Sequence, residues 1–463
     1  MKIVLTAKIL NTTLLLILAS FTSELAAQPA EPERAASAPE SKAENRGRVL
    51  YIDAPQPVRD DRDVVFPEPA LFVNQPATEA LMAERVEAIE NYSSRVAEIE
   101  SLGGAWDLEL TEELTALGRL QQQLGDHRAA ITTLTRAMHV SRVNAGLHSL
   151  QQVPVVEAMI QSFGELGDWG QVDKYQNYMY FVQRRAYGHE DPRMIPALER
   201  LGRWNLEAFS LGFGEPLGGR LSTAQLMFRA ATQMVGMHFG RKDERYQTYL
   251  RDVARSAYLV SLYPEYMAEL SRPEYRSSED KLRDTLFEFG TPSARGYMAG
   301  SQALEEIVAF HEEEGDSPYL LAEAITNLAD WELIYERRNA AEELYGRAWT
   351  ILAEQDDSEE LFQRLFGQVV AIPSFVELPV NLLLGSSSSR RPRLNADYVD
   401  VRLDVTDYGA PRNLVVLTEQ TEANADQLSR VRREIRQTVF RPLIVDGVPQ
   451  DSRGHRFRYR YWY

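Results

Sequence analysis

The sequence predicts a mostly α protein: a long helical-repeat solenoid followed by a small α+β domain of order strand, strand, helix, strand. Three observations predict it. Between residues 78 and about 366, apolar residues recur at helical spacing, and small residues recur among them on a fixed register. Residues 385–393 read GSSSSRRPR, the composition of a flexible linker. Beyond it the period drops from helical to two.

The repeat is carried by spacing. Gly118, Ala130, Leu134 and Ala137 stand 12, 4 and 3 residues apart, and Ala329, Ala341, Tyr345 and Ala348 repeat those intervals. Gly202, Ala224, Phe228 and Ala231 repeat them again once ten residues are inserted around 212–219. Small residues at these points let two helices approach closely, and the large one fills the groove between them. The pattern resembles tetratricopeptide repeats, and the resemblance implies five to seven helical hairpins over 77–384. A fourth unit, at 153–180, is weaker: Leu166-Gly167-Asp168 matches Leu124-Gly125-Asp126, 42 residues away, but Ile160, Val172 and Met179 replace small residues. Between 243 and 311 the register is broken by Pro264, Pro273 and Pro292. An irregular helical bundle is the competing architecture.

Residues 372–384 are apolar and extended, with Pro373 and Pro379, and are expected to cap the last hairpin. After the linker, Val399, Val401, Leu403 and Val405 alternate with Asp400, Arg402 and Asp404, as in a half-buried strand. A turn at Tyr408-Gly409-Ala410-Pro411 and a short strand at 414–417 follow. Leu428, Val431, Ile435 and Val439 then recur at helical spacing, with Arg430, Arg432, Arg433 and Arg436 mostly on the other side. Pro442 ends that helix. Asp446-Gly447 is a turn. In the closing strand Phe457, Tyr459, Tyr461 and Tyr463 share one face; Arg456, Arg458, Arg460 and Trp462 share the other.

This order resembles the C-terminal domain of the TonB family over residues 394–463. The matching positions are Val401 to Val405, Gly409, Leu414 to Val416, Phe440-Arg441-Pro442, Gly447 and Phe457 to Tyr461. The resemblance implies that the closing strand lies at a sheet edge and accepts an extended partner segment. Arg456, Arg458 and Arg460 would then form the partner-binding face. Phe457, Tyr459 and Tyr461 would hold the strand to the helix, and Gly409, Phe440, Arg441, Pro442 and Gly447 are the family-pattern positions. An unrelated small α+β domain is the competing reading.

Residues 1–27 read as a secretory signal peptide. Lys2 and Lys8 supply positive charge, the run Leu14 to Ala19 is short, and Leu25-Ala26-Ala27 is an acceptable cleavage site. An uncleaved signal anchor is the alternative. Residues 28–76 are rich in Pro, Ala, Glu and Arg, and the first part reads as disordered. Short apolar stretches near 48–52, 64–66 and 70–73 are expected to dock on the following helices or to act as a partner-binding strap. The long Pro-Lys and Pro-Glu rod of a TonB transducer is missing.

The chain carries 50 Lys+Arg against 68 Asp+Glu, a net charge of −18. From Arg390 onward it holds 14 Arg and 10 acidic residues, a local +4, leaving −22 on the rest. An acidic body with a mildly basic, Lys-free tail does not suggest a nucleic-acid binder. There is no cysteine, hence no disulfide, thiol nucleophile or lipoprotein acylation site. The seven histidines are scattered, with no metal-binding spacing. The His311-Glu312-Glu313-Glu314 run reads as a solvated helix end. Gly212, Gly214, Gly218 and Gly219 follow no strand, so they form no phosphate loop. Tyr175, Tyr178 and Tyr180 cluster, chiefly as packing residues. No catalytic motif, cofactor or metal site is expected.

The expected function is that of an exported, periplasmic, non-catalytic adaptor of a Gram-negative-type cell, binding protein partners of the envelope. The resemblance extends those partners to outer-membrane receptor segments. The alternative is a TonB-type energy transducer anchored in the inner membrane by an uncleaved N-terminus. An enzyme with a site assembled from unrecognised parts is the distant third.

Overall fold

The structure is a computed structural model that describes residues 51–52, 55–58, 79–270, 292–315, 317–374, 396–421 and 424–462. The expected signal peptide, residues 28–50, 53–54 and 59–76 of the Pro-rich segment with the apolar stretches near 64–66 and 70–73, residues 375–384 of the expected cap and the 385–393 linker lie outside these residues. No helix among the described residues is long and apolar enough to cross a membrane.

Helix α1 (Glu79–Gly103) leads into five hairpins: α2/α3 (Leu110–Gln123, His127–Ala145), α4/α5 (Val153–Glu165, Trp169–Tyr187), α6/α7 (Ile195–Ser210, Leu217–His238), α8/α10 (Glu244–Leu262, Pro292–Glu314) and α11/α12 (Pro318–Ile334, Arg338–Ala353). A short α9 (Pro264–Glu269) and the undescribed residues 271–291 interrupt the fourth hairpin, where the sequence loses register. Helix α13 (Ser358–Phe366) closes the array.

The small residues of the repeat sit where the helices cross. Ala130, Leu134, Ala137, Ala224, Phe228, Ala231, Ala329, Ala341, Tyr345 and Ala348 are all buried. A Cβ on Gly118 would stand 2.6 Å from Leu134 Cγ, and one on Gly202 2.9 Å from the Phe228 ring. The ten-residue insertion lengthens α7. Its Gly218 lies so near α9 that a Cβ would come within 2.2 Å of the Tyr266 carbonyl. The weaker unit at 153–180 is a hairpin too.

Two recurrent loops punctuate the array. Between the helices of a hairpin, Asp126 and Asp168 cap α3 and α5 by accepting from the Ala129 and Gln171 N–H groups at 3.1 Å. Between hairpins, Gly146, Gly188 and Gly240 take φ of 91°, 87° and 86°. Three residues after each glycine, Ser149, Asp191 and Asp243 accept from the N–H two residues on.

The C-terminal module is built on an antiparallel sheet that carries a helix. Strand β4 (Ala396–Val405) lies between β5 (Pro411–Val416) and β9 (Ser452–Trp462). Helix α14 (Ala425–Gln437) covers one face, burying Leu428, Val431 and Ile435 with Val399, Val401, Leu403, Phe440, Phe457, Tyr459 and Tyr461. The module is larger than strand, strand, helix, strand. Short β6 (Val439–Arg441) pairs with β3 (Val370–Ile372), which follows the last helix of the array, and β7 (Leu443–Val445) and β8 (Val448–Gln450) form a hairpin.

The described part of the N-terminal segment, residues 51–52 and 55–58, lies on the C-terminal sheet and not on the helices. Strands β1 (Tyr51–Ile52) and β2 (Gln56–Pro57) add to the outer side of β9, pairing Tyr51 with Trp462, Ile52 with Tyr461, Gln56 with Arg458 and Pro57 with Phe457.

Candidate functional site

The first helices of successive hairpins stand side by side and are tied to each other by polar side chains. Gln122 of α2 donates to the Ala158 carbonyl and the Ser162 hydroxyl of α4, at 2.6 and 2.7 Å. Arg200 of α6 pairs with Glu157 of α4 at 2.9 Å. On its other flank α6 reaches α8: the Tyr249 hydroxyl donates to Glu199 at 2.7 Å, and Arg203 lies 3.8 Å from Asp252. Arg203 also holds Glu199 at 3.0 Å. Burial, then the bond to Glu199, raise the Tyr249 phenol well above its ordinary value, so it stays protonated and donating.

A cleft of about 430 Å³ opens on this face, lined by Gln176, Pro196, Glu199, Arg200, Arg203, Trp204 and Glu207. Its floor is fixed. The Trp204 indole N–H donates to Asp173 at 2.7 Å, and Arg220 donates to the same carboxylate at 2.6 Å. Gln176 Oε1 is buried there without a hydrogen-bond partner. The cleft offers carboxylates, guanidiniums, an amide acceptor and one indole on a rigid helix face, a lining suited to binding a polypeptide segment. The sequence left this face without named residues, because the order of helices along a solenoid does not reveal which side chains meet across three repeats.

A second site joins the module to the last hairpin. Arg441 of β6 donates to Asp330 of α11 from Nε at 2.9 Å and from a terminal nitrogen at 2.5 Å, and its other terminal nitrogen donates to the Leu365 carbonyl at 3.2 Å. The Tyr345 hydroxyl donates to Asp330 at 2.7 Å. The Asp330 side chain has no exposed surface. Burial disfavours the Arg441 charge, but Asp330 more than offsets it and the guanidinium is held above its ordinary value; burial drives the Tyr345 phenol far up.

The family-pattern positions converge on this joint. Phe440 fills the module core beside Phe457, with ring centres 5.4 Å apart. Pro442, buried and without an N–H, separates β6 from β7. Gly409 (φ 80°) would put a Cβ 2.3 Å from the Phe440 carbonyl, and Gly447 (φ 76°) lies against Gly346 and Trp349 of α12. Tyr408 lies under the Arg338 guanidinium at 3.9 Å.

The expected partner-binding face of the closing strand is corrected. Strand β9 is not at the sheet edge, because β1 and β2 cover it. Nor do its arginines form one exposed row. Arg456 is exposed, Arg458 forms a two-pronged pair with Asp400 of β4 at 2.7 and 2.8 Å, and Arg460 is only 8% exposed. Phe457, Tyr459 and Tyr461 are buried against the helix face.

Other sequence candidates are structural. Tyr178 donates to the Leu147 carbonyl and to Gln152, Tyr175 stacks on Phe163, and Tyr180 packs on the core. His311 is buried, and Glu312, Glu313 and Glu314 pair with Arg347, Arg241 and Lys242, so that helix end is an ion-pair hub. No group of three or more His, Asp or Glu among the described residues could hold a metal ion.

No family model matches the chain, and no curated protein is similar to it. Similar solved structures exist at low identity. A kinesin light chain of nearly identical TPR-like repeats from Podosopora anserina is 12% identical at a TM-score of 0.34, covering 54% of this chain and 99% of its own. BtubC (BKLC) from P. vanneervenii is 15% identical at 0.32, covering 60% and 92%, and a circular tandem repeat protein is 15% identical at 0.29, covering 65% and 74%. At such scores the likeness is remote, and the helical-repeat description rests on the hairpins of this chain.

Proposed function

We propose that this protein is a non-catalytic adaptor that brings protein partners together in the cell envelope. One observation carries the reading: a continuous face of first helices, cross-tied from α2 to α8, holds an open cleft on α6 lined by carboxylates, guanidiniums and an indole. Solenoids of stacked hairpins present extended surfaces of this kind to polypeptides. Export to the periplasm is supported by the Lys2, Lys8, Leu14–Ala19 and Leu25-Ala26-Ala27 pattern. A link to TonB-dependent transport is supported by the strand and helix order of the module and by its Phe440-Arg441-Pro442 and Gly447 positions.

The second reading, an anchored TonB-type transducer, draws on the same N-terminal apolar run. It needs that run retained and a long reach from the membrane; here residues 51–52 and 56–57 are instead held on the module. N-terminal sequencing of the mature protein separates the two. A start at Gln28 supports the exported adaptor, and a retained Met1 supports the anchored transducer. The adaptor reading is tested by cross-linking in intact cells, which should trap discrete envelope proteins; monomer alone would refute it.

A further inference from the structure

Helix α14 carries an arrangement that neither the repeat array nor the module core explains. Leu428, Val431 and Ile435 fix one face inward. Arg430, Arg432, Arg433 and Arg436 are all exposed, and among the described residues none has an ion-pair or hydrogen-bond partner. They repel one another: Arg432 and Arg436 are four apart, and Arg433 lies three from both Arg430 and Arg436. The usual device for a solvated helix, alternating Glu and Arg at these intervals, is used elsewhere in this chain, as between Glu199 and Arg203. On α14 itself Asp426 and Glu434 stand four residues to either side of Arg430, but no acidic residue lies three or four from Arg432, Arg433 or Arg436.

We infer that this arginine fan is a docking face for a short acidic segment of a protein partner. The inference rests on the adaptor reading and names a second contact for it. Arginine forks bind carboxylates two-pronged, as Arg458 does within this module and Arg441 does across the joint to α11, and the fan offers four such forks unused. The segment is short because the rest of the chain carries −22, which repels a large anionic surface such as a membrane or a nucleic acid. The fan also lacks what those would want. Its exposed residues include no large apolar side chain to enter a bilayer and no aromatic to stack a base.

The test uses the full chain and a fluorescent oligoglutamate peptide, read by polarisation at low and high salt. The parent should bind it, less tightly as salt rises. Arg432→Gln/Arg433→Gln/Arg436→Gln keeps good helix formers in place and should weaken binding about tenfold, three exposed charge pairs being lost. Arg128→Gln/Arg185→Gln, exposed on other helices, should bind as the parent does. Should the triple variant not fold, as judged by circular dichroism, Arg433→Gln alone should give a smaller loss. Equal binding by parent and variant, or none by the parent, overturns the inference. So does tighter capture by α14 of anionic phosphatidylglycerol vesicles or duplex DNA than of oligoglutamate. The adaptor reading survives those outcomes if cross-links from the α6 cleft still trap partners.

Discussion

Arg441→Met should unseat the C-terminal module from the helical array. The substitution removes three bonds to Asp330 and one to the Leu365 carbonyl, and it leaves the Asp330 carboxylate with no exposed surface and only the Tyr345 hydroxyl as partner. Removing one partner of a buried ion pair costs about 3–5 kcal/mol, because the remaining charge stays desolvated. Asp330→Asn should cost a similar amount by stranding the guanidinium. The double variant Arg441→Met/Asp330→Leu carries no buried charge and should recover much of the loss, giving a coupling of about 2 kcal/mol or more in a double-mutant cycle. Urea unfolding followed by tryptophan fluorescence reads this directly, since Trp331 adjoins Asp330 and Trp349 lies against Gly447. Limited trypsin should leave the parent module attached and release it from Arg441→Met. A loss below about 1 kcal/mol in both single variants would refute the reasoning, because no desolvated pair could be broken so cheaply.

Gly202→Ala should cost about 1–3 kcal/mol by driving a methyl into the Phe228 ring, and Ala341→Leu a similar amount at the last hairpin, both read by thermal melts. Replacing residues 51–58 by a Gly/Ser stretch should bare β9, speed exchange of its amide protons and promote self-association in light scattering; unchanged exchange would show that the strap is not paired. His455 titrates below its ordinary 6.5 because burial disfavours the imidazolium and Asp404 only partly offsets this. Its neutral form is therefore the stable one: stability is full above that value and falls as pH drops through it. The melting temperature of the parent should fall more between pH 7.5 and 5.5 than that of His455→Gln.

Much of this architecture could be read in the chain. Small residues at 12, 4 and 3 locate helix crossings because only small side chains allow close approach, and Val399 to Val405 declares a strand by its period. A loop signal is equally present in the sequence: Gly146, Gly188 and Gly240 each precede a capping Ser or Asp by three residues, a marker of every junction from α3 to α8. The position of β9 could not be read, since edge or centre depends on what residues 51–58, some four hundred positions earlier, choose to pair with. Arg441 shows the same limit. Its place in a family-like pattern was legible, but its partner Asp330 lies 111 residues away, inside a helix whose periodicity gives no reason to single it out. The cleft on α6 was illegible because its lining depends on how α5 and α6 are set against each other.

The central claim, that the face of first helices binds protein, is tested most directly by a photo-cross-linking residue placed at Arg203 in the producing cell. The account predicts discrete higher-mass adducts containing another protein, not formed when the same residue replaces Arg128 on α3. No adduct from position 203, or the same adducts from both positions, would contradict it.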